Sequence, residues 1–192
     1  MNKYVRAIII GVVVGIGFGF LMSFVFTEGP APIYYGAFAA VFTAYILSNL
    51  AGNKKLPIVS GAEKDQALQL RPPAGKSLLV VYREGFVAKL AGLNLFIDGK
   101  AFAQLTAPKF TAIVLTPGPH NLSCGFGGLA GPQSKKGSYD FVAPADGFTA
   151  VRIGVRIGLV QGAMSFTPST DAQTVRPKLA SMPMVKADPA EL

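Results

Sequence analysis

The stretch AIIIGVVVGIGFGFLMSFVFT at residues 7–27, with IYYGAFAAVFTAYILSNLAGN at residues 33–53, decides the architecture of the first quarter of the chain. Neither run contains Asp, Glu, Lys, Arg or His. At about 1.5 Å per residue, each helix would reach about 30 Å, the thickness of a bilayer's hydrocarbon core. A core helix in a soluble domain rarely exceeds about 14 unbroken apolar residues. The two runs therefore predict a transmembrane helical hairpin over residues 1–52, with spans at 7–27 and 33–51. A cleaved signal peptide is the rival for the first run. Lys3 and Arg6 supply its basic start, but the run is longer than the roughly 7 to 15 apolar residues of such a segment. Phe24, Val25, Phe26, Thr27 and Glu28 also make a poor cleavage site.

Small residues recur every four positions in both runs. Gly11, Gly15 and Gly19 fall on one face of the first helix, and Gly36, Ala40, Ala44 and Ser48 on one face of the second. Lipid provides little hydrophobic drive between helices, so association depends on close backbone approach, which small residues permit. These seven positions are the candidate helix-packing residues. They could meet within one chain or between chains, the latter giving a homo-oligomer or a small pore; no charged residue lines either helix to favour conduction.

Lys3 and Arg6 precede the first span, while Lys54, Lys55, Lys64 and Arg71 follow the second. Because cytoplasmic flanks carry the positive excess, both termini are expected in the cytoplasm, with the hairpin in the cell's inner membrane. Of 192 residues, 51% are apolar and 15% charged, against about 25% charged in an ordinary soluble domain. The net charge is +8, and residues 53–192 carry 16 Lys and Arg against 9 Asp and Glu, an excess of 7. That excess favours an anionic lipid surface. Without a dense basic cluster, nucleic acid is not an expected partner. The single cysteine, Cys124, excludes an intrachain disulfide.

Residues 53–76 mix charge with Gly, Pro and Ser and read as a linker, with a short helix near 62–70. From Ser77 the period becomes two. Strands are predicted at 78–83, 93–97, 102–106, 110–116, 120–126, 138–142 and 149–157, the last with an extension towards Phe166, and Asp98, Gly99 and Lys100 form a turn. The expected fold is α+β: the hairpin, a small antiparallel β-sandwich or barrel over 77–167, and a flexible tail over 168–192. Within the tail a short helix is expected at 171–180, capped by Thr170, with disorder beyond Pro183. In VRIGVRI, residues 151–157, Arg152 and Arg156 alternate with apolar residues. They form either a candidate basic contact face or an ordinary solvated one.

Tyr82 and Arg83 closing the first strand, Asp98 and Gly99 in a turn, Phe110 opening a strand, and Leu115, Pro117, Gly118 and His120 before the next resemble the bacterial domain-of-unknown-function family 2846. The segment from Ile97 to Lys100, continued at Pro117 to His120, is similar to the short β-rich PEGA repeat. The resemblance covers roughly residues 76–180 and implies a small β-sandwich without an assigned reaction. Members are often exported lipoproteins with a lipid-modified cysteine, whereas this chain has two apolar runs and no such cysteine.

Candidate chemistry is sparse. His120 and Cys124 would stand about 13 Å apart on one strand, too far for a nucleophile and base. His120 therefore reads as a structural residue at a turn exit, and Cys124 as a packing residue. One His and one Cys cannot close a zinc site, and the carboxylates lack calcium-loop spacing. Gly125, Phe126, Gly127, Gly128, Leu129 and Ala130 match a dinucleotide-binding pattern, but Gly131 and Pro132 oppose the helix it requires. No cofactor and no catalytic or metal-binding residue is expected. The sequence points to a non-enzymatic envelope module whose β domain binds a protein partner or the membrane face; the alternatives are a membrane oligomer or small pore driven by the glycine rows and, more weakly, an enzyme built on residues that form no recognised constellation.

Overall fold

In the computed structural model, residues 2–54, 56–127, 136–156 and 163–188 are described. The first helix, α1 (Lys3–Ser23), starts where the Asn2 side chain accepts a 3.0 Å hydrogen bond from the Tyr4 backbone N–H. That bond satisfies one of the donors a helix start leaves open. It ends at Ser23, whose hydroxyl donates back to the Phe20 carbonyl at 2.6 Å. The second helix, α2 (Ala31–Leu50), carries Pro32 in its first turn, where a missing N–H costs nothing. The helices thus begin earlier than the expected spans. The link between them is residues 24–30 rather than 28–32, because the chain turns straight after Ser23 and again at Gly29, whose φ is +83°. Both helices are long and apolar enough to cross a membrane.

The two rows of small residues face each other. A Cβ placed on Gly15 would stand 2.5 Å from the Ala40 Cβ and 2.6 Å from the Gly36 carbonyl oxygen. One placed on Gly11 would meet the Ala44 Cβ at 2.8 Å, and one on Gly19 the Pro32 carbonyl at 3.1 Å. Ser48 is buried. Gly17, outside the row, has nothing within 4 Å. Only hydrogen side chains allow these backbones to approach so closely.

From Lys54 the chain builds a second compact unit. Its strands and helices are β1 (Ile58–Val59), α3 (Ala62–Leu68), β2 (Ser77–Arg83), β3 (Leu93–Ile97), β4 (Lys100–Leu105), β5 (Lys109–Leu115), β6 (Gly118–Phe126), β7 (Gly137–Ala143), β8 (Phe148–Arg156), β9 (Ala163–Ser169), α4 (Ala172–Ala180) and β10 (Met184–Val185). A six-stranded sheet has the order β1-β10-β5-β2-β8-β9, and a four-stranded sheet the order β4-β3-β6-β7. Every residue of β2 is buried. Leu79 and Val81 join Leu93, Leu95, Ile97 and Leu122 of the four-stranded sheet in one apolar cluster. Leu78, Val80 and Tyr82 join Val59, Ala67, Val175 and Leu179 in another. A strand covered on both faces reads as a continuous apolar run, which is why LLVVY shows no alternation. Asp98 and Gly99, with φ of +51° and +81°, close the β3–β4 hairpin, matching a two-residue turn that requires positive φ at both positions.

Five expectations need correction. The six-stranded sheet is mixed rather than antiparallel, since β2 runs parallel to β8 and β10 parallel to β5. The sequence supplies strand segments but not the order in which they return to the sheet. Residues 53–76 are no free linker: β1 and α3 pack Val59, Ala67 and Leu70 against β2. The tail is equally integrated as far as residue 188, for Val175 and Leu179 are fully buried and Met184 and Val185 nearly so, and Lys186 N–H donates to the Pro57 carbonyl at 3.0 Å; of the disorder expected beyond Pro183, residues 189–192 lie outside the described residues. Asp171, not Thr170, caps α4, its carboxylate accepting from Gln173 N–H at 2.9 Å. The extension of β8 towards Phe166 is a separate antiparallel strand, β9. The glycine-rich stretch falls largely outside the described residues.

Candidate functional site

β2 ends in Arg83, whose side chain lies on the same side of the strand as Leu79 and Val81 and is 1% exposed. Among the described residues its guanidinium meets no carboxylate. Nη1 donates to the Ala91 carbonyl at 2.6 Å and the Leu105 carbonyl at 3.2 Å. Nη2 donates to Ala88 at 2.6 Å and Val87 at 3.3 Å. Burial pulls the Arg83 pKa down, yet an arginine stays charged in proteins. Four carbonyl dipoles and the Phe126 ring, 5.5 Å from the guanidinium, replace its water. Three of those carbonyls belong to the loop joining β2 to β3, so the cation ties the loop's backbone inward.

With its carbonyls turned in, the loop turns large apolar side chains out. Phe86 is 88% exposed and Leu90 65%. Gly85 and Ala88 take positive φ, +101° and +51°, and Ala88 is strained there because it carries a Cβ. Lys89 is exposed between the two apolar residues, while its carbonyl accepts from Ala107 N–H at 3.0 Å.

The alternation in β8 brings the candidate basic residues beside this loop. Arg152 aligns with Tyr82 across the parallel ladder and reaches Glu84 at 2.9 Å. Burial, then the Glu84 charge, raises the Tyr82 pKa. Arg156 is exposed. The two arginines, Phe86, Val87, Gly154 and Ser165 border a cleft of about 170 Å³. The expected stripe is therefore two unlike cations, one in an ion pair and one facing outward. Six of the seven helix-packing positions, Gly11, Gly15, Gly19, Gly36, Ala40 and Ala44, meet within the chain, and the seventh, Ser48, is buried.

His120 and Cys124 do not act together. The β6–β7 register runs unbroken from Gly118↔Ala143 to Cys124↔Gly137, so no bulge shortens the separation expected along the strand. His120 Nδ1 lies 2.7 Å from Asp98 Oδ2 and Nε2 lies 2.9 Å from the Thr116 carbonyl. Only a doubly protonated ring can donate at both nitrogens. Burial favours the neutral ring, but these bonds outweigh it and raise the His120 pKa. Cys124 is buried, 3.2 Å from Met164 Sδ, and burial pushes its thiol up to about 12. Such a thiol is inert at neutral pH. An open groove of about 370 Å³ lies beside Asp98, His120 and Asp140, but among the described residues no three His, Cys, Asp or Glu side chains gather to hold a metal.

Sequence reasoning missed Arg83 as a brace and the loop it holds. The available signal was a lone cation ending an apolar strand, followed by Gly85 and an apolar segment that fits neither strand nor helix. No family model and no curated protein matches the chain.

Proposed function

We propose that the protein is a membrane-anchored, non-enzymatic interaction module of a bacterial envelope, with α1 and α2 as its transmembrane hairpin. The observation that carries this reading is the contrast between the helix–helix contact and the rest of the pair's surface. Small residues interlock on the inner side. Ile16, Phe20, Ile33, Phe38 and Val41, outside that contact, are 67–73% exposed, an arrangement suited to lipid and costly in water, at about 25 cal/mol per Å² of apolar surface. The flanking cations favour both termini in the cytoplasm.

The unit that follows is a β-sandwich flanked by α3 and α4, akin to the family 2846 and PEGA resemblance, and its role in this reading is to bind a protein partner or the membrane face. Because the small residues are already engaged with one another, they support an intrachain hairpin better than a pore. The test is alkaline carbonate extraction of membranes from cells expressing the full chain. The chain is expected to stay in the pellet, and its release into the supernatant would overturn the anchor.

A further inference from the structure

We propose that the loop between β2 and β3 is a second membrane contact, in which Phe86 and Leu90 enter the headgroup layer of an anionic bilayer while Lys89 and Arg156 bind lipid phosphates. The inference rests on the membrane-anchor reading and goes beyond it by assigning a surface and a ligand chemistry. Phe86 is the most exposed large apolar side chain among the described residues. Its exposure is built in, because a buried arginine engages the carbonyls of Val87, Ala88 and Ala91 and holds the loop in one shape. Apolar side chains beside exposed cations are the composition of an interfacial membrane site.

Charge selects lipid phosphate as the occupant. Glu84, the one acid in the loop, is taken up by Arg152 at 2.9 Å, so Lys89 and Arg156 give the surface around Phe86 a positive balance. The affinity required is small. Lys54, whose N–H already bonds to Gln104 of β4, follows the end of α2 at Leu50 after three residues. A tether this short keeps the local lipid concentration high, and weak contacts then suffice.

The full chain carrying Phe86→Cys, labelled with an environment-sensitive dye, is reconstituted into phosphatidylcholine vesicles with or without phosphatidylglycerol. Native Cys124, buried and with its thiol raised, stays unlabelled. The expected result is a blue shift and quenching by headgroup-region nitroxide lipids in the anionic vesicles. High salt, or Lys89→Ala with Arg156→Ala, should diminish both. A dye at Val142→Cys, a position 74% exposed on β7, should show neither. Absence of quenching in anionic vesicles overturns the proposal, as does a blue shift without lipid quenching, which would indicate a protein partner or a second copy over the loop. Vesicle flotation of the same samples separates the two readings: a chain that floats while its dye is unquenched retains the anchor and loses the loop contact. A chain that does not float loses the anchor itself.

Discussion

At the scale of single residues, two polar side chains carry definite expectations. Arg83 is a buried cation whose hydrogen-bond partners among the described residues are main-chain carbonyls, so removing it leaves those carbonyls dry and releases the loop. Arg83→Met should lower stability by about 2–4 kcal/mol and speed proteolysis at Lys89. Arg83→Lys should recover little, since an ammonium cannot span the same fork of carbonyls. Urea midpoints and limited trypsinolysis of the full chain in detergent would check both. His120 sets a pH dependence. Burial would raise Asp98, but the Asn121 N–H and the His120 ring more than offset it and lower its pKa, while His120 is raised above 6.5. The raised histidine contributes stability fully below its unfolded pKa, and this is lost as pH rises through its folded value. The lowered aspartate contributes above its unfolded value of 3.8, and this is lost as pH falls through its folded value. The pair therefore supports the β3–β4 turn best between those limits. Because the Asp98 side chain is 47% exposed, solvent screening keeps the effect to about 1 kcal/mol or less. His120→Gln should flatten the stability loss on the alkaline side. The turn-exit role of His120 was legible from Asp98-Gly99 and Pro117-Gly118, whereas Arg83's role depends on where a later loop folds back, which spacing along one strand does not encode.

At the scale of elements, α1 and α2 were legible because both the length of an apolar run and the four-residue recurrence of small residues are local properties. Their ends were less so, since Ser23 and Gly29 act through hydrogen bonding and φ rather than hydropathy. The partner row of each helix now gives a sharp comparison. Gly15→Leu has no room, with its Cβ already 2.5 Å from Ala40, and should separate the helices. Gly17→Leu points where nothing lies within 4 Å and should not. Disulfide formation between Ala7→Cys and Ser48→Cys, one turn further along the two rows, reads this directly: it should fall several-fold with Gly15→Leu and persist with Gly17→Leu. The C-terminal elements were misread for a different reason. Residues 168–192 are rich in Pro, Ser and Ala, and their buried apolar side chains among the described residues are Val175, Leu179, Met182, Met184 and Val185. Five apolar residues spread over eleven positions, with a proline inside the helix, do not outweigh that composition in a local reading, although Val175, Leu179, Met182 and Met184 cover the Leu78, Val80 and Tyr82 face of β2 and Val185 joins the Leu79 and Val81 cluster. Leu179→Ala, at a site with no exposure, should cost about 2–5 kcal/mol in a urea titration of the full chain, where a disordered tail would show no change.

At the scale of the whole molecule, the strand segments were mostly legible but the mixed sheet was not, because β2 and β8 become parallel neighbours only after the chain has built the four-stranded sheet between them. Orientation across a bilayer is a property of the whole chain too, and on the membrane-anchor reading it follows from a count of cations. Lys3 and Arg6 lie before α1's apolar run, Lys54, Lys55, Lys64 and Arg71 lie after α2, and Glu28 is the one charge between the runs. The positive-inside bias then acts in the same sense at both ends, placing the β unit in the cytoplasm. The native thiol is a poor reporter of this, since Cys124 is 1% exposed and would remain unlabelled on either side. Val142→Cys supplies an accessible thiol on the same unit. A membrane-impermeant maleimide should leave this variant unmodified in intact spheroplasts and modify it after permeabilisation, with the unsubstituted chain unmodified in both. Modification in intact spheroplasts would place the β unit outside and reverse the orientation. The loop at Phe86 and Leu90 would then face the outer leaflet, still opposite acidic lipid where that leaflet contains it, so the side of the membrane and the loop's contact with lipid stand or fall on separate measurements.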